Sequence, residues 1–309
     1  MAESYKIIAE QDYCTVVAKY ESSRKNGNAY QSEQDLERWL IEQLQRQGYE
    51  YPSIHNEKEL LENLRIQLGK ANDTEYSDKE WTSLLNILTS ETLTMEDKAD
   101  MIQKENTAVE IERDNGIKTN VHLIHKDNVF KNNLQVINQY VPAGGTHANR
   151  YDVTILVNGL PLVHIELKRR GVSIREAFNQ INRYARESFW AGKGMFDYIQ
   201  LFIISNGTET KYYSNTTRYA REQEADKQKG KKKKIQSNSF EFTSYWSDRE
   251  NNLICDLEDF TKTFLVKRTL LEILTKYCVF NVDKELLVMR PYQIAATESI
   301  TQRIKIALN

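Results

Sequence analysis

The chain has 309 residues, which suits one large domain or two ordinary ones, since domains run to about 100–200 residues. Hydrophobic residues make up 40% of it and charged residues 28%, so it can bury a sizeable core and is not globally disordered. The formal net charge of −2 lacks the basic excess of proteins that coat nucleic acid, so any DNA contact must come from local patches.

Cysteine usage and hydropathy indicate a cytoplasmic protein. Cys14, Cys255 and Cys278 are far apart and form no C-x-x-C motif, which argues against a disulfide framework and a cysteine-rich zinc site. The first ten residues are mixed polar, unlike a signal peptide. The sequence contains no run of about 18 apolar residues, so no membrane span is predicted.

The first third of the chain is predicted to be mostly helical. Ser32-Glu33-Gln34-Asp35 has the form of a capping box, and apolar residues follow at helical spacing until Gly48. Residues 1–31 are predicted to be irregular apart from a short strand at Cys14–Ala18. Three further helices are predicted, starting near Asn56, Asp78 and Met95 and ending near Leu68, Leu88 and Lys104.

The middle of the chain is predicted to form a sheet. Runs of β-branched and apolar residues predict strands at Val121–Ile124, Leu134–Tyr140, Tyr151–Val157, Pro161–Lys168, Tyr198–Ser205 and Lys211–Ser214. Helical patterns occupy Ser173–Trp190 and about Leu253–Thr275. Residues 221–238 contain a lysine run without apolar periodicity, which predicts a flexible, basic surface loop.

The two strands around Asn158-Gly159 each have an apolar face and a polar face. Their odd-numbered residues are apolar or aromatic, whereas the even positions include Asp152, Glu166 and Lys168. A two-residue loop would mix the two faces. The alternation therefore predicts a three- or five-residue loop, with Gly159 at a bulge and Asp152 directly opposite Glu166.

Two facing carboxylates repel each other, and burial raises a carboxyl pKa further unless a cation neutralises the pair. Mg²⁺ fits such a site, because it takes oxygen ligands and often only one or two protein carboxylates. Lys168 lies on the same face and is placed to hold the attacking water and offset transition-state charge. The tripeptide E-x-K alone carries little weight, since it recurs at Glu96–Lys98 and Glu209–Lys211.

The D…(E)-x-K arrangement resembles the PD-(D/E)xK nucleases, a superfamily of DNA-cutting α/β domains. Its flanks are similar to the R subunits of type I restriction enzymes, most of all the IC subfamily. The similar segments are His147–Val153, Asn158–Val163, Ile165–Lys168, Ser32–Arg38, Gln47–Glu50, Asn206–Thr208 and Met289–Gln293. The resemblance spans nearly the whole chain except the lysine-rich segment 221–238.

This resemblance implies an α/β fold with a restriction-endonuclease-like core, a mixed sheet flanked by helices. It implies an endonuclease domain over residues 1–262, with its core at about 110–220 and an N-terminal helical part at about 32–105. Residues 263–309 would be a helical linker and the truncated start of a helicase-like motor domain.

The resemblance also implies roles for residues outside the hairpin. Gln180 and Tyr184 match a Q-x-x-x-Y motif beside the catalytic sheet, which would position DNA or Lys168; without the resemblance, a packing pair on a helix surface is the simpler interpretation. Glu37 on the first helix would assist the metal site through water, or be an ordinary surface residue. Glu33 is the weaker candidate for that role.

Met289-Arg290-Pro291-Tyr292-Gln293 resembles the Q motif of helicase motors, in which Gln293 would read the adenine of ATP. No Walker A loop follows, so the chain as given should neither hydrolyse ATP nor translocate. ATP is therefore expected to act only in a longer subunit.

The resemblance implies a Mg²⁺-dependent endonuclease that cleaves unmodified double-stranded DNA after ATP-driven translocation, with modification and specificity subunits as partners and no membrane. One alternative is a DNA-binding and coupling module that is inactive outside the full complex. Another is a junction resolvase or repair nuclease of the same superfamily, against which the flanking segments and the Q motif argue.

Overall fold

A computed structural model describes residues 14–22, 31–104, 108–142, 150–184, 194–215, 240, 242–282 and 285–308, without the side chains of 182–184. These ranges hold eight α-helices and eleven β-strands around one five-stranded sheet. The α/β class predicted from the sequence is therefore confirmed. The predicted basic loop at 221–238 lies outside the described residues.

Four capped helices form the N-terminal part, as predicted. They are α1 (Glu33–Arg46), α2 (Glu57–Ala71), α3 (Asp78–Leu88) and α4 (Met95–Gln103). The side chains of Ser32, Asn56, Ser77 and Thr94 each accept a hydrogen bond from the backbone N–H three residues later. Each cap satisfies an amide that the first helical turn leaves unpaired, which is why the starts of these helices could be predicted.

The central sheet has the strand order β3 (Leu134–Tyr140), β4 (Tyr151–Val157), β5 (Leu160–Leu167), β6 (Leu201–Ser205) and β7 (Thr210–Ser214). All neighbours are antiparallel except β5 and β6, which are parallel. The connection between these two strands contains α5 (Ile174–Tyr184), which contacts both of them. Residues 185–190 of the predicted helix lie outside the described ranges.

A small hairpin precedes the sheet, formed by β1 (Ala108–Glu112) and β2 (Lys118–His122). The strand β1 was not predicted from the sequence, and β2 was predicted at Val121–Ile124. The signal was available: Asp114-Asn115-Gly116 lies between the strands, and Gly116 adopts a positive φ of 78°. Turn residues of this kind are typical of a hairpin.

The predicted helix at Leu253–Thr275 is wrong as a single element. The structure has β8 (Trp246–Ser247) paired with β9 (Leu253–Ile254), then α6 (Leu257–Thr263) and α7 (Lys267–Lys276). The Asp256 side chain caps α6 by accepting from the Glu258 N–H, and Val266 has extended backbone before α7. The apolar periodicity continues through this segment and therefore did not reveal the strand β9, the Asp256 cap or the break between the two helices.

The last elements are the hairpin β10 (Cys278–Phe280) and β11 (Leu286–Val288), followed by α8 (Pro291–Leu308). Buried apolar residues on both sides of residue 262, including Phe260 and Leu265, belong to one hydrophobic core. The domain boundary at 262 stays a prediction. Among the described helices, none combines the length and apolarity that crossing a membrane requires.

Residues 14–20, here called the N-terminal strap, run along the C-terminal helices rather than forming the predicted strand. The Thr15 N–H donates to Glu298 Oε1 at 2.7 Å, and its hydroxyl donates to Glu272 Oε2 at 2.6 Å. The Val17 carbonyl accepts from the Arg249 N–H at 3.0 Å. Because these groups bond to side chains and a distant loop, the strap needs no strand partner.

Candidate active site

The β4–β5 hairpin closes through a two-residue turn. Asn158 and Gly159 both have positive φ, 50° and 85°, as a tight turn between twisted strands requires. The predicted three- or five-residue loop is therefore wrong. A Cβ on Gly159 would lie 2.7 Å from the Leu64 Cα of α2, so the turn also packs too closely for a larger residue.

A bulge in β5 restores the register that the alternation requires. Ile155 pairs with Val163 but Leu156 pairs with Pro161, so Leu162 is the extra residue. Beyond the bulge the pairs run in the predicted register, which places Asp152 across from Glu166. The predicted register is confirmed, although the extra residue is Leu162 rather than a third loop residue.

The two strands separate at the candidate site. Their regular pairing ends at Val153 and Ile165, and the Leu167 N–H then donates to Asp152 Oδ2 at 2.9 Å. A carboxylate thus takes the place of a backbone carbonyl. This bond fixes one Asp152 oxygen beside the end of β5.

Glu166 is fully buried and contacts a cation and an imidazole through different oxygens. The Lys168 ammonium donates to Glu166 Oε1 at 3.2 Å and to the Leu167 carbonyl at 3.1 Å. Glu166 Oε2 lies 3.4 Å from His164 Nε2, and His164 Nδ1 lies 3.3 Å from the Thr154 hydroxyl. The three predicted site residues Asp152, Glu166 and Lys168 therefore lie together.

The buried candidate site contains two carboxyl groups close to one lysine and one histidine, and burial shifts the pKa values of several of these groups. Burial raises the pKa of Glu166 to about 7, although Lys168 acts in the opposite direction. Burial, and then the charge of Glu166, raises the pKa of Asp152 well above its ordinary value. Burial lowers the pKa of His164 to about 4, so that its imidazole is neutral at pH 7.

This donor set fits a hard divalent cation. Two neighbouring carboxyl groups with raised pKa values are difficult to ionise together, and a bound divalent ion would stabilise their ionised forms. Within the described ranges, no group of three or more His, Cys, Asp and Glu side chains is arranged as a complete metal site. Asp152 and Glu166 would therefore hold such an ion together with water and substrate oxygens, as Mg²⁺ sites commonly do.

Helix α1 brings Glu33 rather than Glu37 to Lys168. Glu33 Oε2 lies 3.8 Å from the Lys168 ammonium. Glu37 instead accepts hydrogen bonds from the Asn138 amide at 2.5 Å and from the Gln139 amide, and burial raises its pKa. The residues are one helical turn apart, so periodicity could not decide between them.

Helix α5 covers β5 and β6 with an apolar stripe. Its buried side chains are Ile174, Ala177, Phe178 and Ile181. Gln180 lies half-buried beside this stripe, and the Tyr184 side chain falls outside what the structure describes. Their DNA-positioning role stays a prediction.

Gln293 lies on the exposed first turn of α8. Its side-chain oxygen accepts from the Arg290 N–H at 2.9 Å, which satisfies a backbone donor at the helix start. Its predicted contact with ATP stays a prediction.

A mixed five-stranded sheet flanked by helices, with two carboxylates and a lysine where a hairpin opens, constitutes a nuclease-like α/β core. The family described as "Type I restriction enzyme R protein N terminus" matches residues 30–221. The chain belongs to this family.

Relatives from three bacteria are similar over most of the chain. The type I restriction enzyme EcoprrI endonuclease subunit of Escherichia coli is 47% identical over 307 residues, covering 99% of this chain and 92% of that protein. The SauMSSORF170P endonuclease subunit of Staphylococcus aureus is 37% identical, covering 89% of this chain. The SsaAORF53P subunit of Staphylococcus saprophyticus is 39% identical, covering 88%. This chain spans 27% of each staphylococcal protein.

Proposed function

We propose that this chain is a Mg²⁺-dependent endonuclease domain that hydrolyses phosphodiester bonds of double-stranded DNA. The observation that carries the proposal is the buried cluster of Asp152 and Glu166 with Lys168 bonded to Glu166 at 3.2 Å. The names of its relatives, which are endonuclease subunits of type I restriction enzymes, support the same reaction.

The side chains of the cluster have distinct chemical roles. Asp152 and Glu166 would hold the ion, which supplies positive charge to a substrate phosphate and lowers the pKa of a bound water. Among the described residues Lys168 gives two of its three N–H donors to Glu166 and Leu167. Its third donor serves the attacking water or a phosphate oxygen, where a fixed cation offsets developing negative charge.

The neutral His164 stabilises this arrangement without adding charge. In the tautomer with the proton on Nε2, its ring donates to Glu166 and accepts from the Thr154 hydroxyl. Glu166 is thereby oriented between an imidazole and an ammonium. Such contacts to a ligating carboxylate fix its position for the ion.

In the longer protein that the staphylococcal relatives represent, we propose that cutting of unmodified DNA follows ATP-driven translocation. Gln293 would contribute to the ATP site there, and modification and specificity subunits would recognise the target in the cytoplasm. Gln180 and Tyr184 would position DNA beside Lys168, and Glu33 or Glu37 would support the ion. The proposed domain limits are residues 1–262 for the nuclease and 263–309 for the linker and motor start.

The test is cleavage of supercoiled plasmid by the purified chain with Mg²⁺ and with EDTA. We expect nicking that needs the metal and that Lys168→Ala lowers by about 100-fold or more, as loss of a transition-state donor does. The matched control is Lys118→Ala, an exposed lysine paired with Glu110 on a distant hairpin. It should cut like the wild type.

Cutting that survives Lys168→Ala would refute the site assignment. Metal-dependent folding and DNA binding without any cutting would favour the second candidate, a binding and coupling module that cuts only within the full complex. This chain matches only 27% of each staphylococcal relative, so most of each such protein lies outside the matched region. This observation favours the second candidate, because parts needed for cutting would lie in the unmatched region.

A further inference from the structure

One transverse row of the sheet links the candidate active site to a second cationic position. Glu166 on β5 pairs with Ile204 on β6, and Ile204 pairs with Lys211 on β7. Directly paired residues present their side chains on the same face of a sheet. Lys211 therefore lies on the face of Glu166, two strand spacings or about 10 Å away.

The next row on the same face of the sheet supports this assignment. His164, Phe202 and Tyr213 pair in the same way, two residues away along β5, β6 and β7. The ring centroids of His164 and Phe202 are 6.1 Å apart, and those of Phe202 and Tyr213 are 5.4 Å apart. Phe178 of α5 contacts Tyr213 with a centroid distance of 5.5 Å, so α5 packs on this face of the sheet.

Two cations meet above aromatic rings at the end of this row. The Lys211 ammonium lies 4.6 Å from the Phe240 ring centroid and 4.4 Å from that of Tyr245. The Arg175 guanidinium, from the first turn of α5, lies 4.7 Å from the same Phe240 ring. The rings hold both cations through their electron-rich faces without neutralising them.

The positive charges of Lys211 and Arg175 are not neutralised by direct ion pairs among the described residues. In the part of the chain that the structure describes, neither Lys211 nor Arg175 has a carboxylate oxygen within ion-pair distance. Glu209 approaches, but its Oε1 accepts the Tyr245 hydroxyl at 3.1 Å. Burial lowers the pKa of Lys211; the charges of Glu209 and Cys255 act in the opposite direction, and the positive charge of Arg175 adds to the lowering. Two like charges held together favour an anion between them.

Loops at the carboxyl ends of β5 and β6 place these cations beside the site. The Asn206 amide donates to the Val172 carbonyl at 2.7 Å, which joins the loop after Lys168 to the loop before Lys211. Parallel strands that end side by side present such loops as a ligand-binding edge. The catalytic lysine and the second cationic position therefore share one edge of the sheet.

We infer that Lys211 and Arg175, held on Phe240, form a second phosphate subsite that binds duplex DNA beside the bond to be cut. The inference rests on the proposed function. A duplex carries phosphates at close intervals along each strand, so one duplex can place phosphates at two positions about 10 Å apart. The subsite reads the backbone only and therefore contributes affinity without sequence preference.

The test measures binding of a short fluorescent duplex by anisotropy in Ca²⁺, across a range of salt concentrations. Lys211→Met and Arg175→Met should each weaken binding about 3- to 10-fold and reduce the salt slope by about 0.9 for each lost phosphate contact. Phe240→Leu should give a smaller loss, because the cations remain but their ring does not. In plasmid cleavage, Lys211→Met should raise KM and leave kcat at saturating DNA unchanged.

The matched control is Lys267→Met. Lys267 also lies over an aromatic ring, that of Tyr49 at 5.8 Å, beside Gly48 at the far end of α1. That helix has 14 residues, so this control lies about 20 Å from Glu33 and the site. It should bind the duplex like the wild type, and all variants should keep the wild-type melting temperature within a few degrees.

Two results would overturn the subsite. One is Lys211→Met binding with wild-type affinity and salt slope, and the other is a wild-type chain without salt-sensitive duplex binding. A wild-type chain that binds DNA but never cuts would count against the proposed catalysis alone. The binding series would still decide the subsite in that case.

Discussion

Two buried lysines of this chain, each the last residue of a Glu-x-Lys tripeptide, have opposite electrostatic settings. Lys98 on α4 is 1% exposed and forms an ion pair with Asp197 at 2.6 Å. Lys168 lies 3.2 Å from Glu166 and 3.8 Å from Glu33, and Asp152 is a further acid of the same cluster. Lys98 thus pairs with one acid, whereas Lys168 lies in a cluster with three.

The difference separates a structural ion pair from the cluster that is proposed to be catalytic. A lysine and one aspartate neutralise each other, and their contact joins α4 to the turn before β6. Three acids share one lysine, and burial raises the pKa of Glu166 to about 7. A further cation would therefore be needed to keep these acids ionised together. Perturbed acids of this kind are typical of binding and catalytic sites.

The largest expected effect is at the balanced pair. Lys98→Met should lower the free energy of unfolding by about 3–5 kcal/mol, because Asp197 is left as an unpaired buried charge. Chemical denaturation measures this change. The double substitution Lys98→Met with Asp197→Leu should recover most of the loss, since it removes both charges. A single variant as stable as the wild type would show that the pair contributes nothing.

At the cluster of Asp152, Glu166 and Lys168, removing a charge should stabilise the fold instead of destabilising it. Without metal, Glu166→Gln should stabilise the fold at pH 8 by about 3 kcal/mol, the cost of ionising a carboxyl whose pKa is about 7 rather than 4.5. Because this pKa is raised in the folded state, the wild type is favoured below pH 4.5 and loses that stability as pH rises through 7.

Thermal unfolding of both proteins at pH 5 and pH 8 measures the effect. Burial lowers the pKa of His164 to about 4, so its imidazole is mostly neutral in the folded wild type at both pH values. A gain from Glu166→Gln that is equal at both pH values would contradict the shifted pKa.

Divalent ions should restore part of this balance. Saturating Mg²⁺ should stabilise the wild type by about 2.7 kcal/mol at a concentration 100-fold above Kd, since it binds only the folded site. The gain should be larger at pH 8 than at pH 5, because protons compete for Asp152 and Glu166 below their pKa values. Asp152→Asn should lose the gain. A melting temperature that responds equally in this variant would place the ion elsewhere.

The smallest expected effect distinguishes two neighbouring glutamates of α1. Glu33→Gln should change plasmid cutting a few-fold, because it alters the charge 3.8 Å from the Lys168 ammonium. Glu37→Gln should leave cutting intact and cost about 1 kcal/mol of stability, since it disturbs the bonds from Asn138 and Gln139. The opposite result would restore the role predicted for Glu37.

The sequence was sufficient for the helix starts and the hairpin register because both depend on local rules. A capping side chain bonds three residues away, and alternation in a strand has a period of two. The same alternation required one extra residue between Asp152 and Glu166 but could not locate it. The structure places it at Leu162, inside β5, instead of in the turn.

Contacts between distant segments could not be predicted in this way. Lys98 and Asp197 are 99 positions apart and belong to no shared pattern. Lys211 was set aside as part of an uninformative tripeptide, because its relation to Glu166 passes through the pairing of three strands. Such rows depend on which strands are neighbours, and periodicity along one strand does not contain that information.

The N-terminal strap has a consequence for synthesis of the protein. Thr15 bonds to Glu298, which follows it by 283 positions. A ribosome adds about 5–20 residues per second, so Thr15 waits about 15–60 seconds before its partner has been made. The residues of the N-terminal strap are therefore among the last to dock during translation, and they do so only after every strand of the central sheet has been made.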